Sequence, residues 1–247
     1  MKIIIHGIGG RMGKEVAALA LSGIRGAELV AGVDPYASYE GVKCCSSFED
    51  ITEPADCIID FSHHSATGGL LDFAIRTNTP VVLATTGHTE DELEAIRIAA
   101  EKVAVFHAAN MSLGVALLIE LAKIAARTMP DAEIEIIEKH HDRKLDAPSG
   151  TALAIASAIK TVRDDAFFVY GRGGQAKRTK EEIGIHAIRL GNIVGEHEVI
   201  VGTDSQTITL KHEAHTRALF AEGALAAAEF IIGKGAGLYS MPDMIRI

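Results

Sequence analysis

Residues 2–6 form a short apolar run that stops at a glycine turn, Gly7-Ile8-Gly9-Gly10-Arg11-Met12-Gly13, and the positions beyond it, Val16, Leu19 and Ala20, recur at helical spacing. A strand, a turn of glycines and a helix is the context a dinucleotide requires, because glycines let a pyrophosphate approach the helix N-terminus. The apolar segment AELVAGV follows and ends at Asp34. That is about 20 residues on, where a carboxylate accepts hydrogen bonds from ribose hydroxyls. Met12 stands where the usual spacing has its last glycine, and Gly13 comes one later. The alternative is the same turn in a doubly wound fold with no nucleotide.

Short apolar strands and helical stretches keep alternating: ADCIIDF, a helix over about 65–76, PVVLAT, a helix over about 90–101, then VAVFHA. Such alternation implies a parallel sheet with crossover helices, whose ligands lie beyond the carboxyl ends of the strands. The segments leaving those ends are Phe61-Ser62, Ala84-Thr85-Thr86-Gly87 and Ala108-Ala109-Asn110-Met111. From Ser112 a strongly apolar helix runs on, and residues 110–114 supply a hinge. Residues 166–213 then lose helical period and read as strands: AFFVYG, GIHAIRL, GEHEVIVG and QTITLKHEA. With AEIEIIE they make an open mixed sheet, whose apolar face is expected to associate with further copies.

Residues 138–152, EKHHDRKLDAPSGTA, place two histidines, two cations and a Ser-Gly-Thr between an apolar strand and an apolar helix. Ser149 suits the N-cap of that helix, with Pro148 ahead of it. The amides of Gly150 and Thr151 then open the helix and suit an anion. His140 and His141 titrate near neutrality and Lys144 is a charged donor, so the stretch reads as a pocket for a small acidic substrate that accepts protons. A solvated surface loop is the plain alternative.

Bulk properties narrow the classes. The 247-residue chain carries a formal charge of −9, which argues against nucleic acid as a partner. The basic, glycine-rich Tyr170–Lys180 stretch holds one aromatic and is read as a mobile loop. The apolar N-terminal run is too short for a signal peptide and no run reaches membrane-spanning length, so a cytoplasmic location is expected. Cys44, Cys45 and Cys57 form no CxxC, and the pairs His63/His64 and His212/His215 lack further ligands at a recognisable spacing. No metal site is expected.

The set Glu138, His140, His141, Lys144, Asp146, Pro148, Ser149, Gly150, Thr151 and Ala152 resembles the signature of the 4-hydroxy-tetrahydrodipicolinate (dihydrodipicolinate) reductases, and the GGRMG turn is that family's variant. The resemblance runs from the glycine turn to the tail GLYSMPDMI. It implies an α/β chain: an N-terminal Rossmann-like dinucleotide-binding domain, 1–111, to which the final helix and tail, 217–247, return, and an α+β substrate and oligomerisation domain, 112–216. The implied reaction is reduction of 4-hydroxy-tetrahydrodipicolinate, a cyclic dicarboxylate, to tetrahydrodipicolinate in diaminopimelate and lysine synthesis, by a homotetramer. Catalysis is assigned to His140 and Lys144, and substrate binding to His141, Ser149, Gly150 and Thr151. Cofactor contacts are expected from Gly7, Ile8, Gly9, Gly10, Arg11, Met12, Asp34, Phe61, Ala84, Thr85, Thr86, Ala108, Ala109, Asn110 and Met111. The family usually has glycine where this chain has Ala84.

Asp34 repels a 2'-phosphate and has no cation beside it other than Arg11, so NADH is expected to be preferred over NADPH. The glycine turn and the histidine segment fall in different domains, so closure is expected to bring hydride donor and acceptor together. Two rivals remain at this level. Another small-substrate dehydrogenase has no need of the full histidine-to-alanine set, and a nucleotide sensor would tolerate loss of His140 and Lys144.

Overall fold

The computed structural model describes residues 1–245. In chain order the strands are β1 (Lys2–His6), β2 (Glu28–Val33), β3 (Cys44–Cys45), β4 (Cys57–Asp60), β5 (Val81–Leu83), β6 (Ala104–His107), β7 (Glu133–His140), β8 (Phe167–Tyr170), β9 (Glu182–Arg189), β10 (Gly195–Gly202), β11 (Thr207–Ala214) and β12 (Gly237–Tyr239). The helices are α1 (Arg11–Leu21), α2 (Thr67–Thr77), α3 (Glu90–Ala100), α4 (Leu113–Thr128), α5 (Gly150–Lys160) and α6 (Ala218–Ile231). The chain divides into two compact units, Met1–Ser112 with Ala218–Ile247, and Leu113–Arg217.

The first unit is a seven-stranded sheet in the order β12-β6-β5-β4-β1-β2-β3, and every pairing in it is parallel. Parallel strands bury both faces, which is why their sequences are continuous aliphatic runs. Ile4, Ile58, Val81 and Val105 point to one face and pack with Leu70 of α2 and Ile96 of α3. The alternate residues Ile3, Ile5, Ile59, Val82 and Phe106 are equally buried, and α6 lies beside β4, β5 and β6 while packing on α1. Each fully buried isoleucine is worth about 1.5–3 kcal/mol. The chain runs outward from β1 through β2 to β3, then restarts at β4 on the other side of β1 and proceeds to β6. The switch point therefore falls between β1 and β4. The two-residue β3 carried no strand signal of its own.

The second unit holds a five-stranded mixed sheet, β11-β10-β7-β9-β8, in which β7, β8 and β9 run parallel and β10 is antiparallel to both its neighbours. Ile134, Ile136, Ile183, Ile185, Val199 and Val201 line one face and pack under Leu118 and Ala122 of α4 and Ile155 and Ile159 of α5. This corrects the expectation of an apolar face open to other copies: the chain's own helices cover it. The opposite face carries ion pairs, Arg178 with Glu135 at 3.0 Å, His186 with Glu135 at 2.8 Å and Lys139 with Glu196 at 3.0 Å. Gly184 leaves room for the Glu135 carboxylate, whose Oε2 would stand 1.7 Å from a Cβ at that position.

Candidate active site

In the second unit the strand register assembles the site. Glu138 and His140 share the side-chain parity of Ile134 and Ile136, so they extend the helix-covered face past the apolar core. Register pairs Glu138 with His197 on β10 and His140 with Arg189 on β9. The Glu138 carboxylate is wholly buried and fully engaged. Arg189 donates to both its oxygens at 2.8 Å, the Ser149 amide donates to Oε1 at 2.9 Å, and His140 Nδ1 lies 2.6 Å from Oε2. Burial alone would raise the Glu138 pKa, but Arg189, His140 and the Ser149 amide outweigh it and hold the group below the usual carboxylate range. Because the carboxylate accepts at Nδ1, the proton of neutral His140 sits there and Nε2 keeps the lone pair. Burial depresses His140 below the ordinary histidine range, against the pull of Glu138. The ring stands against Gly195, where a Cβ would come within 3.1 Å of Nε2.

Helix α5 closes the far side. Ser149 is its N-cap, accepting the Ala152 amide at 3.2 Å, and the same hydroxyl lies 3.1 Å from His197 Nε2. Burial pushes His197 down to about 4, with the neighbouring His140 contributing next. A Ser-His contact absent from any local sequence pattern is thus created by the fold. It is not a nucleophile and base: the hydroxyl is 2% exposed and already caps a helix, and His197 Nδ1 has no hydrogen-bond partner to orient the ring. Lys144 Nζ lies 2.8 Å from Asp146 Oδ1, and that ammonium holds Asp146 below the usual carboxylate range. The chain between them is tied down by Arg189, which donates to the Asp146 carbonyl at 2.6 Å. His141 is half-buried, and its Nδ1 is buried without a hydrogen bond. The first turn of α5 begins with the amides of Gly150 and Thr151.

In the first unit a cleft of about 520 Å³ opens at the carboxyl ends of the strands. Arg11, Met12, Phe61, Ala84, Thr85, Thr86, Ala109 and Met111 line it, joined by Ser62, His63 and Phe220. The glycine turn beside it is shaped by close approach. A Cβ at Gly13 would stand 2.1 Å from the Gly7 carbonyl oxygen, and one at Gly7, where φ is +77°, would stand 2.7 Å from that of Phe61. Helix α1 has neither a side-chain cap nor an acidic residue in its first turn, so its leading amides are left for an anion. Gly9 donates to Asp34 Oδ2 at 3.0 Å, and the amides of Tyr36 and Ala37 donate to Oδ1 at 2.9 and 3.1 Å. Ile8 is fully buried and fills the space above Gly32, which leaves its backbone alone to serve a ligand. Asn110 Oδ1 accepts the Ser112 amide at 2.9 Å. The Ala108 amide bonds the Leu83 carbonyl at 3.2 Å. Among the described residues the non-glycines with positive φ are Arg25 and Asn78, so Ala84 occupies ordinary backbone that admits its methyl group. These features fit a dinucleotide: a glycine cradle, an uncapped helix start and an acidic residue after β2.

Two family models match the chain, dihydrodipicolinate reductase, N-terminus, over residues 1–111 and dihydrodipicolinate reductase, C-terminus, over residues 114–245. The chain belongs to the dihydrodipicolinate reductase family. It is 46% identical to the 4-hydroxy-tetrahydrodipicolinate reductase of Caldanaerobacter subterraneus subsp. tengcongensis, over 100% of this chain and 98% of that one. It is likewise 46% identical to the enzyme of that name from Clostridium novyi, over 99% and 98%. Among solved structures it superimposes on the dipicolinate-bound dihydrodipicolinate reductase of Paenisporosarcina sp. TG-14 with a TM-score of 0.84, at 26% identity and 99% coverage of both chains.

Arg189, His197 and Phe220 join these sites although no local sequence pattern singles them out as site residues. Arg189 is the last residue of a strand and carries no local signal; only its pairing with β7 brings it to Glu138. Glu138 was legible in principle, since a carboxylate two residues beyond Ile136 in a strand lies on the buried face. The sequence spacing offered His63 and His64 no further ligand, and the fold brings one carboxylate from 28 residues on: His64 Nδ1 lies 2.9 Å from Glu92 Oε2, and Glu92 belongs to the capping box at the start of α3. Among the described residues no group of three or more His, Cys, Asp or Glu side chains is placed to hold a metal ion, and no helix is long and apolar enough to cross a membrane.

Proposed function

We propose that His140 and Lys144 carry the proton transfers in the NAD(P)H-dependent reduction of 4-hydroxy-tetrahydrodipicolinate to tetrahydrodipicolinate, a step of diaminopimelate and lysine synthesis. The observation that carries this reading is the buried Glu138-Arg189 pair, which holds neutral His140 by one ring nitrogen beside the Lys144 ammonium and the start of α5. Glu138 balances Arg189, so the Lys144 ammonium and the amides at the start of α5 are what the site offers a dicarboxylate. His141 and the amides of Gly150 and Thr151 receive a substrate carboxylate. Ser149 shapes the helix start rather than touching the reacting atoms. The 4-hydroxyl leaves as water, with His140 Nε2 taking the ring C–H proton and passing it to the departing oxygen; hydride addition to the resulting ring is then completed by a proton from Lys144, held by Asp146. The reduced nicotinamide supplies the hydride.

The cleft lined by Arg11, Phe61 and Thr85 holds the dinucleotide, with Gly7, Gly9 and Gly10 at its pyrophosphate. Asp34 favours NADH over NADPH, because its carboxylate stands beside Gly9 and repels a 2'-phosphate. The protein works in the cytoplasm as a homotetramer. The open face of the mixed sheet, where Ile137, Ile188 and Ile200 alternate with the charge pairs, is the surface that supports assembly, and light scattering of the purified protein tests it.

The deciding assay is loss of NADH absorbance with substrate generated in situ by dihydrodipicolinate synthase. Lys144→Ala is expected to lower kcat by about 10²–10⁴-fold with NADH affinity unchanged. Equal turnover of Lys144→Ala and wild type would refute the assignment, and a higher kcat/KM with NADPH than with NADH would refute the role given to Asp34.

A further inference from the structure

Beneath the cleft of the first unit lies a buried polar pair that neither the glycine turn nor the catalytic segment explains. His6 ends β1 and Asp60 ends β4, and the two are register partners in adjacent parallel strands. His6 Nδ1 lies 2.8 Å from Asp60 Oδ1 with both side chains buried. They stand at the switch point of the sheet, between the strand that feeds the glycine turn and the strand that feeds Phe61 and Ser62. All around them the sheet is aliphatic: Ile5, Ile59, Val82 and Leu83 are each 0% exposed. An apolar pair of similar volume would be neutral or more favourable there, because desolvating a carboxylate and an imidazole opposes the gain from their contact. A merely structural role is therefore a weak account.

The contacts of the pair lead to the cleft. Asp60 Oδ1 accepts the Ser62 amide at 3.1 Å, the Phe61 amide donates to the His6 carbonyl at 3.0 Å, and the Ala84 amide to the Asp60 carbonyl at 3.0 Å. Phe61, Ser62, Ala84 and Thr85 are lining residues of the cleft. Burial opposes charge on Asp60, and His6, Ser62 and Thr85 together outweigh it. The contact with His6 is close without being an aligned hydrogen bond: His6 Nδ1, Asp60 Oδ2 and Thr85 Oγ1 are all buried and make no hydrogen bond of good geometry. Three such atoms under one cleft are unusual, since each costs about 1–3 kcal/mol when left unsatisfied. Phe48 meets the His6 ring edge-on with centroids 4.9 Å apart and keeps it from turning away.

We infer that His6 and Asp60 are positioning residues for the dinucleotide: the buried carboxylate, held by His6, fixes Ser62 and Thr85 in the geometry that receives the cofactor. The inference rests on the reading of this cleft as the cofactor site. Its reach is cofactor affinity, not the proton transfers, so KM for NADH separates from kcat.

The test is titration of NADH into the full-length protein, followed by fluorescence and without substrate, for wild type, Asp60→Asn, His6→Ala, His6→Gln and Thr85→Val, with steady-state kinetics on each. Asp60→Asn is expected to weaken NADH binding at least tenfold, with KM for NADH rising in parallel and kcat at saturating NADH staying within about threefold of wild type. His6→Gln, which retains a donor, is expected to bind more tightly than His6→Ala. Thr85→Val keeps the volume and removes only the hydroxyl, and is expected to weaken NADH binding; if the buried Asp60 substitution does not fold, the two His6 variants decide the matter, and wild-type NADH affinity in both overturns the inference. So does wild-type affinity in a folded Asp60→Asn protein that has lost only thermal stability. Failure of wild type itself to bind NADH or NADPH would instead remove the cofactor reading of the cleft, and the inference with it.

Discussion

Arg189→Met is the most informative single change in the second unit. The guanidinium makes two 2.8 Å bonds to Glu138 and a 2.6 Å bond to the Asp146 carbonyl. Its removal leaves a carboxylate of 0% exposure with the Ser149 amide and His140 as its remaining donors. Breaking a buried pair from one side costs about 3–5 kcal/mol, because the surviving charge stays desolvated. The Arg189 side chain is 18% exposed, so water reaches part of the vacated space and the low end, about 3 kcal/mol, is expected. That is about a hundredfold in the unfolding equilibrium. Urea unfolding of Arg189→Met, Glu138→Gln and the double variant measures it. The double variant should recover part of the loss, since its amide needs no counter-charge. Losing Arg189 should also raise the His140 pKa, because the carboxylate's pull is then unopposed from that side, and so move the acid limb of the kcat profile to higher pH. A single variant within about 0.5 kcal/mol of wild type, or a double variant less stable than Arg189→Met, would refute the reasoning.

Further outcomes follow from the same contacts. His197 titrates at about 4 instead of the ordinary 6.5, so between those values the unfolded chain takes up a proton that the folded chain refuses. The stability it contributes is complete above about pH 6.5 and falls by about 3 kcal/mol as pH drops to 4; in urea midpoints against pH, His197→Gln should flatten that fall, and curves parallel to wild type would contradict it. Gly13→Ala would force a Cβ to within 2.1 Å of the Gly7 carbonyl, and its backbone shift should reduce NADH binding more than tenfold; unchanged binding by titration would show that the turn is not a tight cradle. Ser149→Ala removes the α5 cap and should cost about 1 kcal/mol, with KM for substrate rising more than KM for NADH; equal effects on both would argue against a site confined to this end of the helix.

Much of the fold was written in local pattern. Aliphatic runs such as 3–5 and 57–59 must be buried on both faces, so strands alternating with helices required a parallel sheet. The glycines at 7, 9 and 13 announced a backbone that a ligand or another chain segment approaches closely, and Ser149 marked the start of α5 from its type alone. The charged open face of the mixed sheet was less legible, because alternation reveals that a strand has two faces but not which one the chain's own helices will cover.

What the amino-acid order determined by itself was therefore periodicity, turn chemistry and the gathering of His140, His141 and Lys144 within one short segment. Tertiary structure decided which distant groups those residues meet. Register between β7, β9 and β10 set Arg189 and His197 against Glu138 and His140, and adjacency of β1 and β4 set His6 against Asp60. The physical reason is that a protonation state depends on desolvation and on charges within a few ångströms, and those neighbours come from segments about 50 residues apart or more, which only the folded sheet makes adjacent.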